Sequence, residues 1–151
     1  MDNYIVGIHA AWRGEQLGFA AFSARANAQQ DKIFMEMWRT LAQLELVTGE
    51  RMAKVLRFHG EHIDNDTPFD QQSEAFQSYL RLSHADVIAY MRGRVASALG
   101  RFEELLAIAP KQDMVDVQFL VDHELALITF VEREAAGEPD SLCDVRRLLS
   151  Y

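Results

Sequence analysis

Along most of this chain apolar side chains recur at steps of three and four, the spacing at which residues share one face of an α-helix. The pattern occurs four times. Between Tyr4 and Ala28 the row reads Ile5, Ile8, Trp12, Glu15, Phe19, Phe22 and Ala26, with Arg13, Gln16, Ser23 and Asn27 mostly off it. Between Lys32 and Phe58 it reads Phe34, Trp38, Leu41, Glu45, Thr48, Met52 and Val55. A third row, His84, Ile88, Met91, Val95, Ala98, Phe102 and Leu105, runs to about Ala109. The fourth occupies Asp113 to Ala136 as Val117, Leu120, Glu124, Leu127 and Val131. Strand signals are nearly absent, with no alternating Val/Ile/Thr run and no Asn-Gly or Asp-Gly turn.

Punctuation residues agree with these rows. Asp31 is placed to cap the second helix. Ser83, with Asp86 three residues on, resembles a capping box for the third. Pro110 cannot continue that helix, and Gly137 is a normal residue just past the end of the fourth. Between Phe58 and Ser83 lies a connection of about 24 residues, too long for a tight turn. It begins with His59, Gly60, the Asp64-Asn65-Asp66 run and Thr67-Pro68, then carries a short amphipathic piece with Phe76, Tyr79, Leu80 and Leu82. Helices of this length reach about 36–40 Å, and the connection is long enough to travel the length of a bundle. The expected architecture is therefore all-α: a four-helix bundle with a long crossover between helices two and three. The tail at 138–151, with Pro139, Leu142, Val145, Leu148 and Leu149, is expected to add a short C-terminal helix that packs on the bundle.

Composition narrows the function. The 151 residues are 49% hydrophobic and 25% charged, which suits one folded domain spanning 1–151. The single cysteine, Cys143, excludes an internal disulfide and every multi-cysteine zinc pattern. A net charge of −8 argues against nucleic acid as a partner. No basic leader and no long apolar run point to a membrane or a secretory route, so the expected compartment is the cytoplasm. Ala20, Ala21, Ala24, Met37 and Leu44 lie off the main rows, and on that basis a homodimer is expected; a small-molecule or protein partner has no signature.

The chemistry lies in the acids that interrupt the rows. Glu15, Glu45 and Glu124 each stand near the midpoint of their helix, so helices packed side by side bring the three to one height. Val95 faces them from the remaining helix. Buried carboxylates cost several kcal/mol apiece in desolvation, on the order of magnitude usual for buried ions, and they raise one another's pKa values. Arg92 or Arg94, His123, or a bound metal ion would compensate them. Carboxylates with or without His123 suit one or two iron ions or another divalent metal such as magnesium, manganese or zinc. His123 and Glu124 are neighbours separated by about 100° around the helix, so the periodicity expects one of them to face the core and the other to turn away. His59 and His62 near Asp64 and Asp66 form a weaker candidate cluster. His84 is expected near its cap at one end of the bundle, and His9 at the edge of the core.

Taken together, Glu15 with Phe22 and Ala26, Glu45-Leu46-Val47-Thr48, and Glu124-Leu125-Ala126-Leu127 with His123 and Phe130 resemble the ferritin-like superfamily, on its rubrerythrin-like side. That family places one Glu on each of two helices and a Glu-x-x-His pair on the other two. The resemblance covers roughly residues 4–136. It implies a degenerate di-metal site, because Thr48 and Leu127 stand where the histidines belong and Val95 where a glutamate belongs. The corresponding functional expectation is a binding, structural or regulatory bundle with a partly lost di-iron centre. The alternative is a metal-binding protein or oxidoreductase that uses Glu15, Glu45, Glu124 and His123. A helical-bundle transferase would need His9, His62 and His123 together, and their heights disagree.

Overall fold

The computed structural model describes residues 2–65 and 69–150. Asp66, Thr67 and Pro68 of the expected connection lie outside the described residues. Among the described residues there are six α-helices: α1 Asp2–Ala28, α2 Lys32–Phe58, α3 Glu74–Arg81, α4 His84–Ile108, α5 Met114–Ala136 and α6 Cys143–Leu149, with a 3-10 turn at Lys111–Asp113 before α5. Among the described residues no helix is long and apolar enough to cross a membrane.

The helix ends are set by the residues that sequence reasoning singles out. Asp31 Oδ1 accepts hydrogen bonds from the backbone N–H groups of Ile33 and Phe34 at 2.7 and 3.3 Å. Ser83 Oγ accepts from the Asp86 N–H at 3.2 Å. Gly137 closes α5 in the left-handed region at φ 68°, where a side chain would be strained. Ser73 caps α3 in the same manner.

α1 and α2 form one antiparallel pair and α4 and α5 another; α5 packs on α2, while α1 touches α4 only sparsely. At one end of the bundle Tyr4 and His59 meet Asp113, with Tyr4 donating its hydroxyl proton at 2.8 Å and His59 Nε2 at 2.6 Å. At the other end His84 Nε2 lies 2.8 Å from Glu134 Oε1 and its ring sits on Phe34. The segment between His59 and His84 therefore leaves one end of α5 and arrives at the other. On the way α3 packs against α1, and after α5 the chain returns α6 onto α5 and α2.

These two short helices change the account of the apolar surface. Ala21, Met37 and Leu44, expected on a free second face, are buried in this chain's own core with Phe76 and Tyr79 of α3 and Leu142 and Val145 beside α6. Phe19, expected in the core row, is instead 38% exposed. Trp12 and Ala26 of the expected row are buried, and with them α1 buries Tyr4, Ile8, Ala11, Glu15, Gly18, Phe22 and Arg25, a seven-residue repeat of the kind that packs at shallow angles.

Arg25 is the one cation in that row, and the sequence reading does not place it. It is 4% exposed. Its Nη1 donates to the carbonyls of Tyr79 and Leu82 at 2.9 and 2.8 Å, and its guanidinium lies 4.9 Å from the centre of the Trp38 ring. The last carbonyls of a helix lack intrahelical partners, so Arg25, in the last turn of α1, satisfies the end of α3. Arg25→Met keeps the packed stem and strands both carbonyls. It is expected to lower stability by about 2–3 kcal/mol, read as a lower urea midpoint with an unchanged slope.

Candidate metal centre

Three helices bring five polar side chains to one level of the core. α1 supplies Glu15, α2 supplies Glu45 and Thr48, and α5 supplies His123 and Glu124; all are buried, Thr48 and His123 completely. His123 is the hub. Its Nε2 lies 2.6 Å from Glu45 Oε2 and 3.7 Å from Glu124 Oε1. Its Nδ1 lies 3.7 Å from Glu15 Oε2 and shares a 2.6 Å hydrogen bond with the Thr48 hydroxyl.

Two glycines make room for this. A Cβ at Gly18 would overlap the Glu45 carboxylate, and one at Gly49 would stand 3.3 Å from Glu15 Cβ. Gly18 follows Glu15 by three residues and Gly49 follows Glu45 by four, so on each helix the glycine lies beside the local acid and opposite the acid of the antiparallel partner. The signal was present in the sequence as two Glu-to-Gly spacings, which the periodicity of apolar residues does not pick out.

The expected alternation between His123 and Glu124 does not hold. Both are buried, because α5 is flanked by α4 on one side and α2 and α6 on the other and so buries an arc wider than one row. His123 turns toward Glu45 and Thr48. Glu124 lines a cavity of about 600 Å³ that also reaches Glu15 and Glu45. Thr48, which the family pattern marks as a lost histidine, instead holds the imidazole that α5 provides.

The hydrogen-bond inventory of this level is incomplete. Glu15 Oε2, Glu45 Oε2, Glu124 Oε2 and His123 Nε2 are all buried without a hydrogen-bond partner. The 2.6 Å approach of His123 Nε2 to Glu45 is thus a close ionic contact whose alignment misses a hydrogen bond. Orphaned buried polar atoms are rare in folded proteins, and these four belong to side chains that meet around His123. One donor atom each from Glu15, His123 and Glu124 lies within 4.8 Å of the others, so the group can hold a metal ion.

No arginine enters the cluster. Among the described residues neither Arg92 nor Arg94 forms an ion pair with a core carboxylate; the Arg94 guanidinium sits 5.9 and 5.7 Å from the ring centres of Tyr79 and Tyr90. On the α4 side, Val95 and Met91 line the cavity without offering a donor. Other histidines are engaged elsewhere: His9 pairs with Glu61 at 3.0 Å, His59 with Asp113 and His84 with Glu134; Asp66 of the weaker candidate cluster at His59–His62 lies outside the described residues. Comparison with protein-family models, curated proteins and solved structures returns no match.

Burial sets the electrostatics. Desolvation, then the charge and hydrogen bonding of Glu45, then the charge of Glu124, hold the Glu15 carboxyl well above the usual range. Desolvation likewise pushes Glu124 up to about 7, against the lowering influence of His123. For His123 burial alone would lower the pKa, but the charge and contact of Glu45 and the charge of Glu124 outweigh it and the net shift is upward. In all three groups the folded state binds protons more tightly than the unfolded one. Stability of the metal-free protein therefore falls as pH rises through the window between the unfolded and folded pKa values. Thermal melts in chelator are expected to give a higher Tm near pH 5 than near pH 8, with Glu124 alone contributing about 3 kcal/mol at most; Glu124→Gln should flatten that slope.

Proposed function

We propose that this protein is a ferritin-like helical bundle whose core binds one divalent transition ion, iron or manganese before zinc, through Glu15, Glu45, Glu124 and His123. The observation that carries the reading is the set of four unpartnered buried lone-pair atoms at one level, drawn from three helices. Two antiparallel helix pairs joined by a connection running from one end of α5 to the other support the ferritin-like arrangement. Three carboxylate oxygens and one imidazole nitrogen are a hard-to-borderline donor set. Thr48 supplies what a metal-binding histidine needs behind it: with Nδ1–H donating to the Thr48 oxygen, the Nε2 lone pair is fixed toward the carboxylates.

When bound, iron or manganese in such a setting supplies one-electron chemistry and Lewis acidity. The chain's own contribution is orientation and charge. Gly18 and Gly49 let the carboxylates approach, the apolar side chains above and below exclude water, and the absence of a donor on α4 leaves one side of the cluster facing the cavity. Loading the site exchanges protons for the ion: His123 and the raised carboxyls must give up protons, so affinity rises with pH.

A second reading is favoured by the 2.6 Å contact itself. There His123 stays protonated and serves as the permanent counter-ion of Glu45, and the bundle is a binding or structural protein without metal.

Elemental analysis of untagged protein prepared without chelator separates the two. The metal reading expects close to one transition ion per chain, lost in Glu15→Ala/Glu124→Ala, and a Tm that rises on adding manganese(II) by mass action. Absence of metal in both proteins, with manganese(II) leaving the Tm unmoved, would leave the imidazolium reading. Gly18→Ala offers a finer check: the helix gains propensity of about 1 kcal/mol, yet the new methyl displaces Glu45, so metal affinity is expected to fall while helicity by circular dichroism is retained.

A further inference from the structure

The cavity beside the proposed metal centre has a chemistry of its own. It lies between α1 and α4, which touch only sparsely. Its α1 wall is made of small residues, Gly7, Ala10, Ala11 and Gly14, so the backbone itself forms the surface. At Gly7 a Cβ would collide with Leu105, and this close approach of α1 to a leucine of α4 narrows one end. The α4 wall is apolar, with Met91, Val95, Ala98 and Phe102. About 600 Å³ falls within the range of sites that take a small organic molecule.

Two arginines, Arg94 and Arg101, stand on the α4 rim seven residues apart, so that they project from the same side of the helix two turns from one another. Neither forms an ion pair with a carboxylate among the described residues, although the charges of both favour the ionised form of Glu124. Arg101 donates from Nη1 to the Ser97 hydroxyl at 2.9 Å, and Arg94 rests against Tyr79 and Tyr90, leaving further N–H donors on both. Glu104 lines the same cavity three residues after Arg101, so in a chain of net charge −8 the two guanidiniums are the cationic points of an otherwise acidic lining. The floor supplies the independent mark of a site: Glu124, 5% exposed, lines the cavity and keeps an unpartnered carboxylate oxygen.

We infer that the groove between α1 and α4 binds an organic monocarboxylate with an apolar body, its anionic head on Arg94 and Arg101 and its body along Met91, Val95, Ala98 and Phe102 toward the carboxylate cluster. A guanidinium recognises a carboxylate through paired charge-assisted hydrogen bonds, and the apolar wall accepts an alkyl or aryl chain. The head group stays at the rim because the floor is acidic and would repel it. This assigns a ligand class to the open side of the proposed metal centre and rests on that reading only for the ligand's being a substrate; binding itself requires no metal.

Octanoate, octanol and octylamine titrated calorimetrically into the metal-free and the manganese-loaded full-length protein test it. Octanoate is expected to bind at one per chain, roughly tenfold or more tighter than octanol, with octylamine weaker still. Arg94→Gln/Arg101→Gln should lower octanoate affinity by a similar factor and leave octanol unchanged, whereas Ala98→Trp should remove binding of both. Equal binding of octanoate and octanol, no effect of the arginine pair, or no octanoate binding to either form of a protein whose folding is verified by circular dichroism would overturn the proposal. Metal content measured on the same samples keeps the two readings apart. A protein that takes octanoate but no metal retires the centre and leaves the groove; one that takes metal but no octanoate does the reverse.

Discussion

Within 4 Å of the His123 ring lie oxygens of Glu15, Glu45 and Glu124, and none of these residues has appreciable access to water. The rest of the bundle is organised around carrying that charge. Three carboxylates at ordinary pKa values would repel one another strongly in a low-dielectric interior, so the metal-free protein must hold extra protons on Glu15, Glu124 and His123. Only His123, among the five polar groups at this level, can carry a positive charge. Its central place on α5, between the carboxylates of two other helices, is what allows them to be buried together.

Stability is supplied on either side of this level. One apolar cluster contains Phe22, Trp38, Leu41, Met91, Phe130 and the buried residues of α3 and α6. The other contains Tyr4, Ile8, Trp12, Met52, Leu56, Phe102 and Leu120. The polar level separates them, and each cluster is closed at its far end by polar pairs: His84 with Glu134 at one end, Tyr4 and His59 with Asp113 at the other. Asp116, beside that second end, is held by Arg51 and Lys54 at 3.0 and 3.1 Å. The acids at that end are as deeply buried as those at the middle, but Asp113 and Asp116 have hydrogen-bonding partners on other helices, whereas the acids at the middle have only each other and His123. The middle is thus the least favourable layer for folding and the one most responsive to a proton or a cation.

How much of this could be read from the sequence depends on whether a feature is local. Helix limits follow from backbone groups within a few residues of the cap, and Asp31, Ser83, Pro110 and Gly137 act where their spacing places them. The common height of Glu15, Glu45 and Glu124 was legible for a related reason: helices of similar length that pack side by side align their midpoints. What could not be read is which neighbour covers which face. Phe19 lies outside the core row and Arg25, which the periodicity does not place, lies inside it because α3 returns onto α1 and offers two carbonyls to a guanidinium. Ala21, Met37 and Leu44 look like a free surface until α3 and α6 lie on it. The wide buried arc of α5 likewise depends on having α4 on one side and α2 and α6 on the other, and no periodicity within α5 alone reports it.

The four long helices do not contribute equally to the polar level. α1, α2 and α5 bring donors, and α4 brings Val95, whose side chain can neither share a proton nor bind a cation. Had α4 carried a fourth carboxylate, the level would be closed by protein on every side and would need still more positive charge to exist. With valine there, the fourth side is a cavity wall, along which Arg94 and Arg101 of α4 act on Glu124 from a distance. Closing α1 onto α4 would have removed that space, but the two helices stay apart except near Gly7 and Leu105. The small residues of α1 thereby serve two purposes: Gly18 admits Glu45 from α2, whereas Gly7, Ala10 and Gly14 leave the opposite flank thin enough for the cavity to reach the carboxylates. A bundle selected only for packing would fill both spaces with side chains, as core density ordinarily requires. Leaving one beside the most costly layer of the core makes physical sense where something is to be admitted to it.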